Sequence, residues 1–351
     1  MIPRTHPECQ IELVDATPAS DWQSILASAD ITAEQLRQKL GIAEHDWQKL
    51  AAAGPELATL QKAFPLRVPE PYLQRMRRGD CNDPLLLQVL PQTRELDSSE
   101  GFVADPLCES EFVPVTGLVH KYQRRALLIV TQACAIHCRY CFRRHFPYGE
   151  QRASRAQWQQ SFDYFRSDPS IDEVIFSGGD PLACNDSHLS WLAGELAAIG
   201  SIRRLRIHSR LPVVIPQRVN DQLLAWLGRW PGQKVVVIHC NHAREIDTQV
   251  QAAISRLTES GATVLNQSVL LAGINDNAEA LVELSEALFA AGAMPYYLHA
   301  PDKVAGTQHF FIDDHYSKGL LDEVRANLPG YLVPRLVREE PYRSAKTPLT
   351  G

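Results

Sequence analysis

Three cysteines carry the strongest chemical signal in this 351-residue chain. Cys134, Cys138 and Cys141 stand in a C-x3-C-x2-C spacing within Thr131-Gln132-Ala133-Cys134-Ala135-Ile136-His137-Cys138-Arg139-Tyr140-Cys141. Thiolates this close together can wrap one soft-metal centre, and thiolate ligands select zinc, copper(I) or iron–sulfur. A structural zinc needs a fourth ligand, for which His137 and His145 are the nearest candidates. A [4Fe–4S] cluster held by three cysteines instead leaves one iron open to a substrate or cofactor, which implies catalysis. Plain buried thiols are a third reading, against which the clustering and the flanking Arg139, Arg143 and Arg144 count. The other five cysteines (Cys9, Cys81, Cys108, Cys184 and Cys240) are scattered and read as small core or surface residues. A second motif, Ser177-Gly178-Gly179-Asp180-Pro181, joins two glycines that let the main chain approach a ligand to an acid able to pair with an ammonium. On its own such a tripeptide is more often a turn.

These residues sit at regular places in a repeating pattern. From residue 126 onward short β-rich runs alternate with amphipathic segments. The runs are Ala126 to Thr131, Val174 to Ser177, Arg206 to Ser209, Val235 to His239, Thr263 to Ser268 and Met294 to Leu298. Helical segments lie between them at about Ser154 to Ser167, Asp186 to Ala198, Asn220 to Trp230, Ile246 to Ser260 and Asn277 to Ala290. After the first, longer unit the spacing suits βα units with right-handed crossovers and a parallel sheet. Each strand ends in polar or unusual residues: the cysteine loop, Ser177 to Asp180, His208 to Arg210, His239 to His242, Asn266 and Gln267, and His299 with Asp302. A barrel delivers every strand end to one face, whereas an open sheet concentrates function at one switch point. The pattern therefore predicts a partial (β/α)6 barrel over residues 116–330. It is preceded by a helical region over 1–115 and followed by a tail over 331–351.

In the first region Thr32-Ala33-Glu34-Gln35 is a capping box ahead of Leu36 and Leu40, and Gly41 stands where that helix would stop. Trp22 and Trp47 read as core anchors. Pro65 to Pro114 reads as short helices joined by ordered loops, and its residues suggest no chemistry.

Composition narrows the partners. With 35 Lys+Arg against 41 Asp+Glu the net charge is −6 and there is no long basic block, which argues against nucleic acid or an anionic membrane. The 45% hydrophobic and 22% charged content is that of a soluble globular chain, and the apolar runs are strand-sized, too short to span a bilayer. Met1 to Glu8 has prolines and an acid where a signal peptide needs an apolar stretch. A cytoplasmic protein is expected, in which eight cysteines are not four disulfides.

The cysteine spacing, with Tyr140 before the last cysteine and the loop placed after the first strand of a βα repeat, resembles the radical S-adenosylmethionine (SAM) superfamily. That resemblance implies a [4Fe–4S] cluster on Cys134, Cys138 and Cys141, with SAM's amino group at Ser177-Gly178-Gly179-Asp180 and its adenine near Tyr140. Ser177, His208, Arg210, His239 and Gln267 become contacts to SAM or to a second cofactor. From about residue 65 onward a narrower resemblance, to the lysine 2,3-aminomutase family, is carried by several segments: His120-Lys121-Tyr122-Gln123-Arg124-Arg125, Cys141-Phe142-Arg143-Arg144, Ser209-Arg210-Leu211-Pro212, Asn266-Gln267-Ser268-Val269, Pro295-Tyr296-Tyr297-Leu298-His299 and Lys346-Thr347-Pro348. It implies an isomerase that uses pyridoxal 5′-phosphate (PLP) beside SAM and the cluster to convert (S)-α-lysine into (R)-β-lysine.

The same resemblance places the PLP lysine at Lys346 and the PLP phosphate on Lys121, Tyr122 and Arg125. It gives the lysine carboxylate to Arg143 and the lysine ε-ammonium to Asp302 and Glu339. A Schiff-base lysine needs an amine that can deprotonate, which Arg335, Arg338 or Arg343 nearby would favour. The tail is then expected to fold over the barrel mouth. Two departures from the free-lysine mutases, Glu339 in place of Asp and Pro341 to Ala345 in place of a glycine run, point to the branch that makes β-lysine for elongation factor P. That branch implies a ligase that receives the product and a reducing electron donor. The competing expectations are a stand-alone metabolic lysine 2,3-aminomutase and a zinc-stabilised non-catalytic binding protein.

Overall fold

A computed structural model describes residues 21–147 and 153–349. The reading of Met1 to Glu8 and the reading of Cys9 lie outside the described residues. Nine strands form one sheet in chain order: β1 (Leu118–Tyr122), β2 (Arg125–Thr131), β3 (Glu173–Gly178), β4 (Arg204–Ser209), β5 (Gln233–Ile238), β6 (Thr263–Val269), β7 (Met294–His299), β8 (Arg335–Arg338) and β9 (Thr347–Pro348). Strands β2 to β8 pair in parallel, while β1 and β9 add antiparallel edges. The six predicted runs are β2 to β7, and the five predicted helices form at Arg155–Ser167, Asp186–Ala197, Asp221–Arg229, Thr248–Glu259 and Ala278–Ala291. The sequence reading missed β1, β8 and β9.

The period of two along the strands separates two environments. Ala126, Leu128, Val174, Phe176, Leu205, Ile207, Val236, Ile238 and Val264 point outward and are almost wholly buried against the helices. Each large apolar side chain among them contributes about 1.5–3 kcal/mol. The alternate residues Arg125, Glu173, Ser177, Arg206, His208, Val235, His239, Leu265, Gln267, Tyr297 and His299 line a cavity inside the curl. Side chains, not a backbone ladder, join its two edges. Lys121 on β1 donates to Glu339 (3.1 Å) and to the backbone carbonyl of Glu340 (2.7 Å) just beyond β8, and Tyr122 donates to Glu339.

The capping box forms as read, with Thr32 and Gln35 bonded reciprocally, and Gly41 ends that helix with φ of 64°. Trp22 and Trp47 are buried, but in a core continuous with that of the barrel helices. The Arg218 guanidinium lies 4.5 Å from the Trp22 ring centroid. The proline-rich segment does form short helices, Glu70–Leu73 and Pro84–Leu87, and two 3-10 turns, Thr93–Leu96 and Glu109–Phe112. Among the described residues no helix is long and apolar enough to cross a membrane.

Candidate active site

The loop after β2 carries the three cysteines, all free thiols that front a cavity of about 790 Å³. Arg139 anchors this loop from behind. Its fully buried guanidinium grips Glu95 through Nε (2.9 Å) and Nη2 (2.5 Å) and reaches the Phe64 carbonyl (2.7 Å). Arg144 takes the same carboxylate at 2.7 Å. Such a buried ion network is strongly destabilising to break, since each charge left unpaired has no water. The two histidines considered as zinc ligands bond to backbone: His137 Nδ1 to the Pro65 carbonyl (2.8 Å) and His145 Nε2 to that of Ala305 (2.9 Å). Among the described residues no three His, Cys, Asp or Glu side chains are drawn together as around a single metal ion.

The thiols suit a soft, multiply charged centre. Burial, followed by the neighbouring Cys141, Asp180 and Cys138, pushes the Cys134 thiol well up, and burial with Cys138 pushes Cys141 up to about 11. Bare thiolates would be costly here, and a bound cationic centre offsets that cost by displacing their protons. Arg210 Nη1 points at Cys138 Sγ (2.7 Å), while its Nη2 is held by Gln88 (2.6 Å), Glu245 (2.9 Å) and Tyr72 (3.3 Å).

Gly178 and Gly179 meet a packing need of their own. A Cβ on Gly178 would lie 2.5 Å from the Thr131 carbonyl oxygen, and one on Gly179 2.5 Å from that of Ala133 and 2.6 Å from that of Gln132. The glycines let β3 run against the cysteine loop itself, where the Gly179 and Asp180 amides donate to Thr131 and Ala133 at 2.8 Å each. Asp180, expected to meet an ammonium, has both oxygens engaged within the protein. Oδ1 accepts from Ser209 (2.6 Å) and Leu182 N (3.1 Å), and Oδ2 from the amides of Arg210 (2.7 Å) and Leu211 (3.1 Å). Burial still lifts this carboxyl to about 6. Its place is that of a brace between the ends of β3 and β4. Gly179→Ala is accordingly expected to cost about 1–3 kcal/mol through overpacking, and to lower the iron content of anaerobically purified protein together with the melting temperature.

Deeper in the cavity three imidazoles are kept neutral. Burial, then Arg210 and Arg143, brings His239 down to about 3, and burial likewise lowers His208 and His299 far below the usual imidazole range. Gln267 Nε2 lies 3.1 Å from His239 Nε2, whereas His208 Nε2 and His299 Nε2 are buried with no protein partner. Buried polar atoms normally find partners, so these two are positions for a bound group to fill. Tyr140 lies in the same wall, edge-on to Phe310 and 3.4 Å from Gln88 Oε1 through its hydroxyl. Arg143 donates from Nε (2.7 Å) and Nη2 (2.6 Å) to Glu109 and from Nη1 to Ser177 Oγ (3.2 Å).

The tail returns as β9 beside β8, lengthening the sheet edge. Lys346 enters the cavity and bonds Glu339, the carboxylate that Lys121 and Tyr122 also hold. Burial alone would raise Glu339, but Lys346 and these donors bring it down to about 2. Of the three cations expected beside Lys346, Arg338 pairs with Asp314 (2.5 Å) and Arg343 lies 3.8 Å from Glu340. Arg125 stacks over the Tyr122 ring at 4.1 Å. Lys346 with Lys121, Tyr122 and Arg125 therefore forms an amine and cationic donor set suited to a phosphorylated aldehyde. Asp302 lines the cavity too, raised to about 7 by burial and, against the pull of Lys346, by Glu339 and Glu109.

The sequence reading missed Glu109, Gln88, Glu245 and Tyr72, and left His299 without a role. His299 had a signal, since it ends β7, the strand beside that of Gln267, and points to the same side as Tyr297, the register partner of Gln267. The other four stand 34 to 138 positions from the arginines they meet and had none.

A curled parallel sheet whose first parallel strand ends in a three-cysteine loop over a cavity defines a radical SAM enzyme, and a family model described as a 4Fe-4S single cluster domain matches residues 123–202. The relatives are narrower. The L-lysine 2,3-aminomutase of Escherichia coli K12 is 46% identical over 334 residues, covering 95% of this chain and 96% of that one. That of Haemophilus influenzae is 44% identical over 319 residues (91% and 92%), and that of Clostridium subterminale 30% over 331 residues (94% and 78%). This chain belongs to the L-lysine 2,3-aminomutase family. Among solved structures, Streptococcus suis SuiB is similar at a TM-score of 0.45 and 11% identity over 63% of this chain and 50% of that one.

Proposed function

We propose that this protein is the isomerase that converts (S)-α-lysine into (R)-β-lysine for β-lysylation of elongation factor P, acting in the cytoplasm with a [4Fe–4S] cluster, SAM and PLP. The observation that carries the reading is convergence. The cysteine loop with Arg143 just after it, Asp302 and Lys346, three places far apart in sequence, all line one cavity. When bound, the cluster with SAM supplies one-electron hydrogen abstraction and PLP supplies a conjugated carrier for the migrating nitrogen.

The roles follow from the donor sets. Cys134, Cys138 and Cys141 hold the cluster. Tyr140, Ser177, Gly178, Gly179, Asp180, His208, Arg210, His239 and Gln267 shape or contact the SAM and PLP sites. Lys121, Tyr122 and Arg125 take the phosphate, Lys346 the carbonyl carbon. Arg143 offers a planar fork to the substrate carboxylate, and Asp302 with Glu339 faces its ε-ammonium. Leu127, Ile175 and Leu265 in the cavity wall, with the side-chain closure between β1 and β8, exclude water that would quench a reactive radical. Residues 116–330 serve as the barrel and 331–351 as the lysine-bearing tail, and the described part of the helical region 1–115, from residue 21, meets the cysteine loop through Phe64 and Pro65.

Support for the elongation factor P branch lies in Glu339, in the tail without a glycine run, and in relatives of matching length at 44–46% identity against 30% for the clostridial one. The deciding experiment is anaerobic: iron, sulfide and PLP are assayed, then lysine, SAM and a reductant are added and the product is offered to an elongation factor P ligase. β-Lysine that the ligase does not use would leave the stand-alone metabolic reading in its place.

A pH dependence follows from Asp302. Its carboxyl, at about 7, is neutral below that pH and anionic above it, and only the anion attracts an ammonium. The KM for lysine is expected to fall as pH rises from 6 to 8, and Asp302→Asn to raise KM about 10-fold or more and flatten the profile. A wild-type KM constant across that range would remove Asp302 from the ammonium site.

A further inference from the structure

Two non-glycine residues among those described have left-handed backbone, Cys108 with φ of 51° and Tyr342 with φ of 60°, and they meet. Side chains disfavour that conformation, and it persists where surrounding contacts hold it. Here the Tyr342 hydroxyl donates to Glu111 Oε1 (2.8 Å) and hydrogen-bonds Cys108, and its ring packs on Phe112 at 5.8 Å between centroids. Tyr342 belongs to the tail, four residues before Lys346; Cys108, Glu111 and Phe112 belong to the 3-10 turn after Leu107. The same turn carries Glu109, which is buried and holds two nitrogens of Arg143.

We infer that the Cys108–Phe112 turn is a two-ended positioning device: Glu109 sets the guanidinium of Arg143, and Glu111 and Phe112 hold Tyr342 and so the tail that delivers Lys346. This rests on the proposed roles of Arg143 and Lys346. The turn suits the task because side chains two residues apart in a 3-10 turn project to different sides, Glu109 into the cavity and Glu111 onto the tail. A carboxylate gripping one edge of a guanidinium fixes its plane, and a planar fork discriminates its ligand only when that plane is fixed. The tail between Glu339 and Lys346 lacks the glycine run of the free-lysine mutases, so a side-chain anchor at Tyr342 can define its course.

The two ends predict separable effects. In PLP-stripped, cluster-loaded protein, Tyr342→Ala is expected to raise the PLP dissociation constant about tenfold, the worth of one net hydrogen bond and its packing. The KM for lysine at saturating PLP should hold at its wild-type value. Glu109→Ala is expected to raise that KM about tenfold or more with PLP affinity unchanged, and Glu109→Gln, which still accepts from Arg143, to restore most of it. If Tyr342→Ala binds PLP as tightly as wild type, or if both variants lower PLP affinity, lysine affinity and melting temperature together, the turn is packing and the inference is overturned. Lys346→Ala with its Schiff-base absorbance intact would instead overturn the assignment of Lys346, a result that Tyr342 variants cannot mimic.

Discussion

Cys138→Ala is expected to abolish lysine-dependent turnover and to remove most of the iron and sulfide, while leaving the fold in place. The loop that presents Cys138 is not built on its sulfur. Arg139 and Arg144 on Glu95, the Arg139 amide on the Gln88 carbonyl (2.8 Å) and the glycine-dependent approach of β3 hold it independently. Removing one thiol therefore deletes the expected ligand without deleting the scaffold, and Arg210, whose Nη1 points at Cys138, retains Gln88, Glu245 and Tyr72 through Nη2. Cys240→Ala is the control. Cys240 is more deeply buried than Cys138 and lies in the core, its sulfur toward the His242 carbonyl (3.3 Å), and its loss should cost about 1 kcal/mol of stability with iron and turnover retained. Iron assay, absorbance and anaerobic turnover read all three quantities. Full turnover by Cys138→Ala would defeat the radical reading of the site.

The different placing of those two cysteines was legible in the sequence, because spacing separates a clustered loop that faces the cavity from scattered thiols. So were β2 to β7, whose outward residues Val174, Phe176, Leu205, Ile207 and Val236 are the β-branched or bulky ones that a helix-covered sheet requires. Strands β1 and β8 were not, since Lys121, Tyr122, Arg335 and Arg338 alternate with too few apolar neighbours to show a strand period. The carboxylates of the site were hidden for another reason. Glu95 meets Arg139 across 44 positions and Glu245 meets Gln88 across 157, and no local pattern encodes a partner that tertiary packing supplies. Gly178, Gly179 and Asp180 show the reverse case. The motif was visible, yet the close approach of its glycines depends on the cysteine loop, and three of the four donors to Asp180 come from Ser209, Arg210 and Leu211 at the end of β4.

Lys346→Ala is expected to eliminate the Schiff-base absorbance of bound PLP and to lower turnover by a factor on the order of 10³ or more, as when one member of a covalent catalytic unit is removed. The structure separates this loss from unfolding. Lys346 is tied to Glu339, but that carboxylate keeps Lys121 and Tyr122, so the junction between β1 and β8 survives. Lys346→Arg sharpens the test, because it keeps a cation beside Glu339 and cannot form the imine under these conditions. It should melt as wild type does and still lack the absorbance. Glu339 supplies an independent readout. Its carboxyl, held down to about 2, contributes stability that is present above the ordinary carboxylate range and is lost as pH falls from about 4.5 toward 2. Without Lys346, the largest of the influences that lower it, Glu339 should protonate at higher pH, and acid unfolding of Lys346→Ala should begin earlier than that of Lys346→Arg. An Ala variant with intact absorbance, or an Arg variant with wild-type turnover, would show that the amine that engages PLP lies elsewhere.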